Sequence, residues 1–184
     1  MFPTNNLPAL KRFITTHDSK GLAVFSDTIP EENPFKQLPN GEAAFALGYT
    51  TKGFPVNLNA EADIAAYKST LESPPGLVVS GGTVLRFVDV RPGHISPMHR
   101  TVSLDYGVVI EGECELILDS GETRVMKRGD VAVQRGTMHQ WRNTSTTEWA
   151  RMMYVLQDSK AVEVGGKALS EDYGVGMDGV PKST

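Results

Sequence analysis

The sequence predicts an all-β domain, an antiparallel barrel or sandwich, over its central part. Seven short strand-like segments follow one another within about 75 residues from Thr83 onward, and turn residues separate them. No helical pattern lies between these segments, which argues against a parallel α/β sheet. Polar side chains also share one face of neighbouring segments, and such a face is typical of the lining of a barrel pocket.

Glycine or other turn residues bound each predicted strand. The seven candidates cover residues 83–90, 101–111, 113–119, 123–126, 130–134, 139–143 and 150–156. The run Asp119-Ser120-Gly121-Glu122 predicts a hairpin turn between the third and fourth of them. We therefore expect a barrel core over residues 83–156.

Residues 1–82 form an irregular segment that we expect to be an arm, packed on the barrel or on a partner subunit. Its candidate elements are short strands over residues 11–16, 21–26 and 45–50 and one helix over residues 61–71. Asn59 is the candidate N-cap of this helix. Residues 157–184 are polar and glycine-rich, and we expect a tail with a short helix at most and partial disorder at its end.

Composition narrows the class of protein. The chain has 184 residues, of which 40% are hydrophobic and 22% charged, as in ordinary soluble domains. A net charge of −4 gives no electrostatic basis for binding nucleic acid or an anionic membrane, and no apolar run is long enough to span a bilayer. The single cysteine, Cys114, fits a reducing compartment and a packing role. With no secretory pattern at the N-terminus, we expect a cytoplasmic protein.

Two histidines lie in short polar clusters near the middle of the chain. Because successive strand side chains point to opposite faces, alternate residues of each cluster share a face. The first face holds His99, Thr101, Ser103 and Asp105, and the second holds His139, Trp141 and Asn143. We expect both faces to line one pocket.

Three chemistries are open to these residues. Two histidines and a carboxylate (His99, His139 and Asp105) have the ligand composition of a non-haem iron site. The same three side chains suit metal-free acid–base catalysis, since a histidine titrates near neutral pH and a carboxylate beside it sets its tautomer. In the third interpretation, the polar groups satisfy one another in a dry barrel.

Further side chains are candidates for substrate contact. On the expected pocket faces these are Thr101, Ser103, Trp141 and Asn143. Arg86 on the first strand has the geometry to clamp a carboxylate bidentately, and the alternative is a solvated arginine on the outer face. The alternation along residues 150–156 puts Met152 and Tyr154 on one face and leaves open which face lines the barrel.

Two runs resemble the sequence motifs of a known family. Gly93 is followed by five residues and His99, and Asp105 by six residues and Gly112. Gly129, Gly136, His139 and Asn143 fall at a second characteristic spacing, with Gln134 where proline is usual. These runs are similar to the two cupin motifs, and residues 83–156 resemble a small single-domain cupin of the type found in fungal biosynthetic gene clusters.

The resemblance implies a jelly-roll β-barrel with an N-terminal arm and one or two short helices, a homodimer, and a role in secondary metabolism. A cupin metal site usually has three histidines and a glutamate, whereas Thr101 and Asp105 replace one histidine and the glutamate here. The cofactor therefore stays open between none and one divalent ion (iron, zinc or manganese) at His99, Asp105 and His139.

We expect an enzyme that dehydrates, decarboxylates or isomerises a small molecule, polyketide-like or terpenoid-like, in the barrel pocket. The alternatives are a metal-dependent oxygenase and a non-catalytic barrel that binds a small molecule.

Overall fold

The computed structural model of the chain describes residues 4–177 and 179–183. Its strands are β1 (Thr15–His17), β2 (Ala23–Phe25), β3 (Lys36–Gln37), β4 (Ala43–Lys52), β5 (Gly82–Val90), β6 (Ser103–Glu111), β7 (Glu113–Leu118), β8 (Thr123–Lys127), β9 (Val131–Arg135), β10 (His139–Asn143), β11 (Ala150–Asp158), β12 (Glu163–Val164) and β13 (Lys167–Ala168). Its helix is α1 (Ala62–Glu72), which a 3₁₀ turn at Asn59–Glu61 precedes.

Two antiparallel sheets form the body of the domain. The larger sheet has six strands in the order β3–β4–β5–β11–β6–β9, and the smaller has three in the order β10–β7–β8. Hairpins β1–β2 and β12–β13 stand apart from them. The expected all-β jelly-roll architecture is confirmed.

The interior of the barrel is divided between apolar packing and a polar end. Side chains from both sheets bury one apolar cluster, made of Val109, Cys114, Met126, Ala132, Trp141, Ala150 and Met152. Cys114 is only 1% exposed, as its packing role requires. This cluster fills the barrel beside Trp141, so a cavity is left only where the packing stops.

The strand expected at residues 45–50 is longer than expected and belongs to the larger sheet. β4 pairs with β5 from Ala43 opposite Val90 to Lys52 opposite Gly82. Its side chains alternate between buried and half-buried positions, which is the pattern of a strand inside a sheet rather than of a segment laid over one. This part of residues 1–82 therefore builds the barrel wall.

Helix α1 covers the outer side of β4. Ile64 and Tyr67 are its buried residues, and the Tyr67 hydroxyl donates a hydrogen bond to the Leu47 carbonyl oxygen at 2.8 Å. The expected helix position is confirmed within one residue. The Asn59 N-cap is wrong, because the chain first makes a 3₁₀ turn there and Glu61 occupies the N-cap position without a side-chain bond.

A buried ion pair fixes the first residues of the arm to the back of the larger sheet. Arg151 donates two hydrogen bonds to the Asp89 carboxylate, at 2.6 and 2.8 Å, and a third to the Pro8 carbonyl oxygen at 2.8 Å. The Asn5 amide donates to the same carboxylate at 2.7 Å. These bonds satisfy both buried charges and hold the arm on the sheet.

The tail lies across one end of the barrel. Arg100 and Asp172 exchange two backbone hydrogen bonds, and the side chains of Tyr173, Met177 and Val180 pack near Leu77, Val78, Val84 and Leu156. The described part of the tail has no helix, because its glycines adopt positive φ angles and its backbone pairs with the barrel instead. No helix in the described ranges is long and apolar enough to cross a membrane.

Candidate active site

A cavity of about 110 Å³ opens inside the barrel where the apolar packing ends. Six residues predicted from the sequence line it: Arg86, His99, Thr101, Asp105, His139 and Trp141. Backbone bonds join His99 and His139 across neighbouring segments, at 2.8 and 2.9 Å. The strand pattern therefore brought the two polar clusters together in one pocket, as expected.

The two imidazole rings lie side by side and share one tautomer. Their centroids are 4.3 Å apart. Nδ1 of His99 lies 2.8 Å from the Pro97 carbonyl oxygen, and Nδ1 of His139 lies 2.9 Å from that of Thr137. Because a carbonyl oxygen only accepts hydrogen bonds, each Nδ1 carries the proton and each Nε2 has a free lone pair.

Burial keeps both rings uncharged. Desolvation, and next the neighbouring His99 ring, lower the pKa of His139 to about 3. Desolvation also lowers the pKa of His99, against the smaller opposing effect of its bond to Pro97. At neutral pH the pair therefore presents two bases rather than two cations.

The Asp105 carboxyl group shows the opposite behaviour. It is 3% exposed, and desolvation raises its pKa to about 6 although hydrogen bonds from Ser103 and Thr101 oppose the rise. The Ser103 hydroxyl lies 2.5 Å from Oδ1, and the Thr101 hydroxyl lies 3.3 Å from Oδ2. The pKa of the carboxyl group thus lies above that of His139, so near pH 6 about half of Asp105 is protonated beside a neutral His139.

Two predicted contact residues do not reach the cavity. Ser103 is 1% exposed and bonds to Asp105 and Thr101, so its hydroxyl positions the carboxyl group instead of contacting a substrate. The Asn143 amide donates to the carbonyl oxygens of Val90 and Glu148 at 3.0 and 2.9 Å, and its oxygen accepts from a backbone N–H. The predicted substrate-binding role of Asn143 is wrong, because its amide group makes these hydrogen bonds at the end of β10 instead.

The donor set does not fit a metal ion held by three protein ligands. Among residues 4–177 and 179–183, no three His, Cys, Asp or Glu side chains converge as a metal-binding group. Asp105 accepts hydrogen bonds from Ser103 and Thr101, whereas the two Nε2 atoms have no hydrogen-bond partner among the described residues. The metal role of His99, Asp105 and His139 stays a prediction without geometric support.

Tyr154 and Gln134 line the cavity and were not predicted as site residues. The Tyr154 ring meets Trp141 edge-on at 5.8 Å, which settles which face of β11 lines the barrel. A side chain on Gly107 would come within 3.0 Å of this ring, so Gly107 makes room for Tyr154 and not for a ligand.

Both amide atoms of Gln134 are buried without a hydrogen-bond partner in the described structure. The pairing of Gln134 with Asp105 across β9 and β6 explains its position.

Arg86 is buried and points into the barrel, so the solvated alternative is wrong. It is 6% exposed, and its guanidinium carbon lies 5.2 Å from the Phe45 ring centroid. Desolvation lowers its pKa to about 10, which leaves it cationic at neutral pH. The cavity therefore combines a fixed positive charge with two neutral bases and a carboxyl group.

Comparison with known proteins identifies the family of this chain. The cupin domain family matches residues 86–156. Phomopsin biosynthesis cluster protein D of Diaporthe leptostromiformis is 54% identical over 167 residues, which are 91% of this chain and 88% of that protein. The cupin-domain-containing oxidoreductase virC of Hypocrea virens is 44% identical over 165 residues, 89% of this chain and 83% of its own. Among solved structures, the polyketide cyclase RemF of Streptomyces resistomycificus matches with a TM-score of 0.50 at 14% identity, over 86% of this chain and 90% of that one.

Together, the two sheets and the polar cavity define a jelly-roll barrel with an internal binding site. The identity and coverage of the fungal relatives show more: this chain belongs to the cupin-domain family. The resemblance of the two histidine motifs to this family is confirmed. RemF, at 14% identity, shows the shared fold alone.

Proposed function

We propose that this protein is an enzyme of secondary metabolism that moves protons on a small organic substrate, as a lyase or isomerase, in the barrel cavity. The observation that supports it most is the inverted order of acidity: a buried carboxyl group with a pKa of about 6 beside a histidine with a pKa of about 3. Groups whose environments separate their pKa values are suited to divide the acid and base roles. The names of the fungal relatives, given for biosynthetic clusters, support the metabolic setting.

In this proposal a neutral histidine is the base. The carbonyl oxygens of Pro97 and Thr137 hold the Nδ1 protons, so Nε2 of His99 or His139 faces the substrate with its lone pair. Nε2 removes a proton from a carbon next to a carbonyl group. Burial keeps the ring unprotonated at neutral pH, and the lowered pKa also makes it a weaker base.

Asp105 is the acid. In a dehydration, the C–H electron pair forms the C=C bond, the C–O bond breaks, and Asp105 gives its proton to the leaving hydroxyl, which departs as water. In an isomerisation the same group returns a proton to a different carbon. Ser103 and Thr101 hold the carboxyl group in place for this transfer.

A metal-dependent oxygenase is the second candidate, and the naming of relatives such as virC as oxidoreductases favours it. Its weakness is the donor set, because no three His, Cys, Asp or Glu side chains converge as a metal-binding group among the described residues. A non-catalytic binding barrel is the third candidate.

The test uses chelator-treated protein and a panel of β-hydroxy and β,γ-unsaturated carboxylic acids in deuterated water. Mass spectrometry detects loss of water or uptake of deuterium at carbon. We expect turnover that falls roughly a hundredfold to ten-thousandfold in His99→Gln or His139→Gln, since one proton-transfer group contributes about this much. Asp119→Asn, in an exposed turn, is the control and keeps full turnover.

Two results would contradict the proposal. Turnover that needs added iron and dioxygen supports the oxygenase. Ligand binding that survives His139→Gln, with no turnover in the parent protein, supports the binding barrel.

A further inference from the structure

Arg86 lies where the barrel cavity meets a second and larger space. This outer groove has a volume of about 770 Å³ and lies between the arm and the tail. Mainly apolar side chains and prolines line it, including Ile29, Pro34, Leu47, Leu71, Pro75 and Val180. Leu38, Phe45 and Arg86 line both spaces, so the two spaces adjoin at these three residues.

The Arg86 guanidinium is a buried cation without a carboxylate partner in the described part of the chain. Nη2 donates to the Gly76 carbonyl oxygen at 2.8 Å, and Nε is buried with no hydrogen-bond partner. Among residues 4–177 and 179–183, no acidic side chain makes an ion pair with it. Burying an unpaired charge is costly, so a residue of this kind needs a compensating role.

Arg151 provides an internal comparison. It lies on the neighbouring strand, is equally buried, and faces the opposite side of the same sheet. There the Asp89 carboxylate accepts two bonds from its guanidinium group. The fold thus pairs a buried arginine with a carboxylate on one side of the sheet, whereas on the cavity side the described chain offers Arg86 only a carbonyl oxygen.

We propose that Arg86 binds the carboxylate of the substrate where the two spaces adjoin, and that the substrate is an amphipathic carboxylic acid whose apolar part occupies the outer groove. This inference names the substrate class and rests on the proposed function. A planar guanidinium group with free N–H donors matches a carboxylate bidentately. The groove offers apolar surface to a hydrocarbon or polyketide-like extension that the barrel cavity is too small to hold. The reactive end then lies in the barrel, beside His99, His139 and Asp105.

The test measures binding of octanoate, with 1-octanol as the uncharged probe of the same length, by calorimetry on the parent protein and three variants. We expect octanoate to bind and 1-octanol to bind at least about tenfold more weakly, because the alcohol leaves the buried charge unpaired. Arg86→Met should weaken octanoate binding at least about tenfold. Arg86→Lys should give an intermediate loss, since it keeps the charge without the planar fork.

Lys36→Gln is the matched control, because Lys36 lines the same groove as an exposed cation. We expect it to change octanoate affinity less than about twofold, as exposed charges contribute little. An equal loss in Lys36→Gln and Arg86→Met would contradict the proposal. So would equal affinity for octanoate and 1-octanol.

Thermal unfolding separates binding from a structural role. An arginine needed for folding lowers the melting temperature when it is replaced, whereas an unpaired buried charge does not. We expect Arg86→Met without ligand to unfold at the parent temperature or above. A lower melting temperature together with unchanged octanoate binding would overturn the proposal.

Two further variants complete the test. Asp178 lies outside the described residues, and Asp178→Asn should bind octanoate as the parent does. Binding that appears only in this variant would show that the chain supplies its own counterion. His139→Gln should lose turnover and keep octanoate binding, so failure of the acid–base proposal and failure of the carboxylate site give different results.

Discussion

At the residue scale, the site depends on how burial acts on groups of opposite charge type. Desolvation disfavours the charged form of any group, so it lowers the pKa of the two histidines and raises that of Asp105. The result is a cavity in which His139 is neutral and about half of Asp105 is protonated near pH 6. Arg86 is the exception, because even a pKa of about 10 leaves it charged.

The raised pKa of Asp105 predicts how stability depends on pH. Its folded-state pKa of about 6 lies above the ordinary value of 3.8, so between these values the folded protein binds more protons than the unfolded chain. The contribution of Asp105 to the free energy of unfolding is therefore present below pH 4 and is lost as the pH rises through 6. Asp105→Asn should become more stable relative to the parent across this window, by about 3 kcal/mol at neutral pH.

Urea unfolding of both proteins at a series of pH values measures this difference. Asp119→Asn, in the exposed turn between β7 and β8, controls for the loss of one negative charge. A stability difference between Asp105→Asn and the parent that stays constant from pH 4 to 7 would refute the raised pKa.

The sequence correctly predicted which face of a strand a side chain lies on, but not how far along the barrel that side chain lies. Strand alternation correctly put His139, Trp141 and Asn143 on one face. It does not show how far along the barrel each position lies, and Asn143 falls beyond the cavity, where it bonds to Val90 and Glu148. The sequence shows Gln134 only as a departure from a motif, because its position beside Asp105 depends on the pairing of β9 with β6.

At the element scale, the barrel strands were predictable because their lengths and turns are local properties. The expected strands over residues 113–119 and 139–143 correspond to β7 and β10. The role of β4 was not predictable, because the local sequence of a strand between a proline-rich loop and a helix does not show which strand it pairs with in the sheet. The contacts of the tail were not predictable for the same reason, because they are backbone pairing with Arg100 and packing on Leu77.

The tail provides the second prediction, which concerns the cover of the cavity. The Tyr173 hydroxyl accepts a hydrogen bond from the Leu77 N–H at 3.4 Å and lies 3.1 Å from the Ser183 hydroxyl. Met177 of the same segment lines the cavity. Tyr173→Phe removes these bonds at a cost of about 1 kcal/mol, so the Leu77 amide should exchange with solvent roughly fivefold faster.

Hydrogen exchange followed by mass spectrometry measures this change. Tyr106→Phe, which alters an exposed tyrosine on the outer face of β6, is the matched control and should leave the Leu77 exchange rate unchanged. Equal rates in Tyr173→Phe and the parent would show that the tail is held without this hydroxyl.

At the scale of the whole molecule, the barrel has an apolar end that stabilises it and a polar end that costs stability. Val109, Met152 and their neighbours pack the first. At the second, Arg86, Gln134 and Trp141 keep buried polar atoms without partners in the described structure. Natural proteins break packing rules of this kind mainly at functional sites, and this contrast supports the cavity as the functional site. The homodimer implied by the cupin resemblance stays a prediction, as does the division into arm, barrel and tail at residues 82 and 156.

In the proposed mechanism, His99 and His139 are neutral bases with the proton on Nδ1. Nitrogen-15 NMR of histidine-labelled protein tests it most directly, with His17→Gln and His94→Gln variants to assign the other two rings. We predict that at neutral pH both site histidines show a protonated Nδ1 and an unprotonated Nε2, and that His139 does not titrate between about pH 8 and about pH 5. Titration of His139 near its ordinary value of 6.5, or a proton on Nε2, would contradict the account.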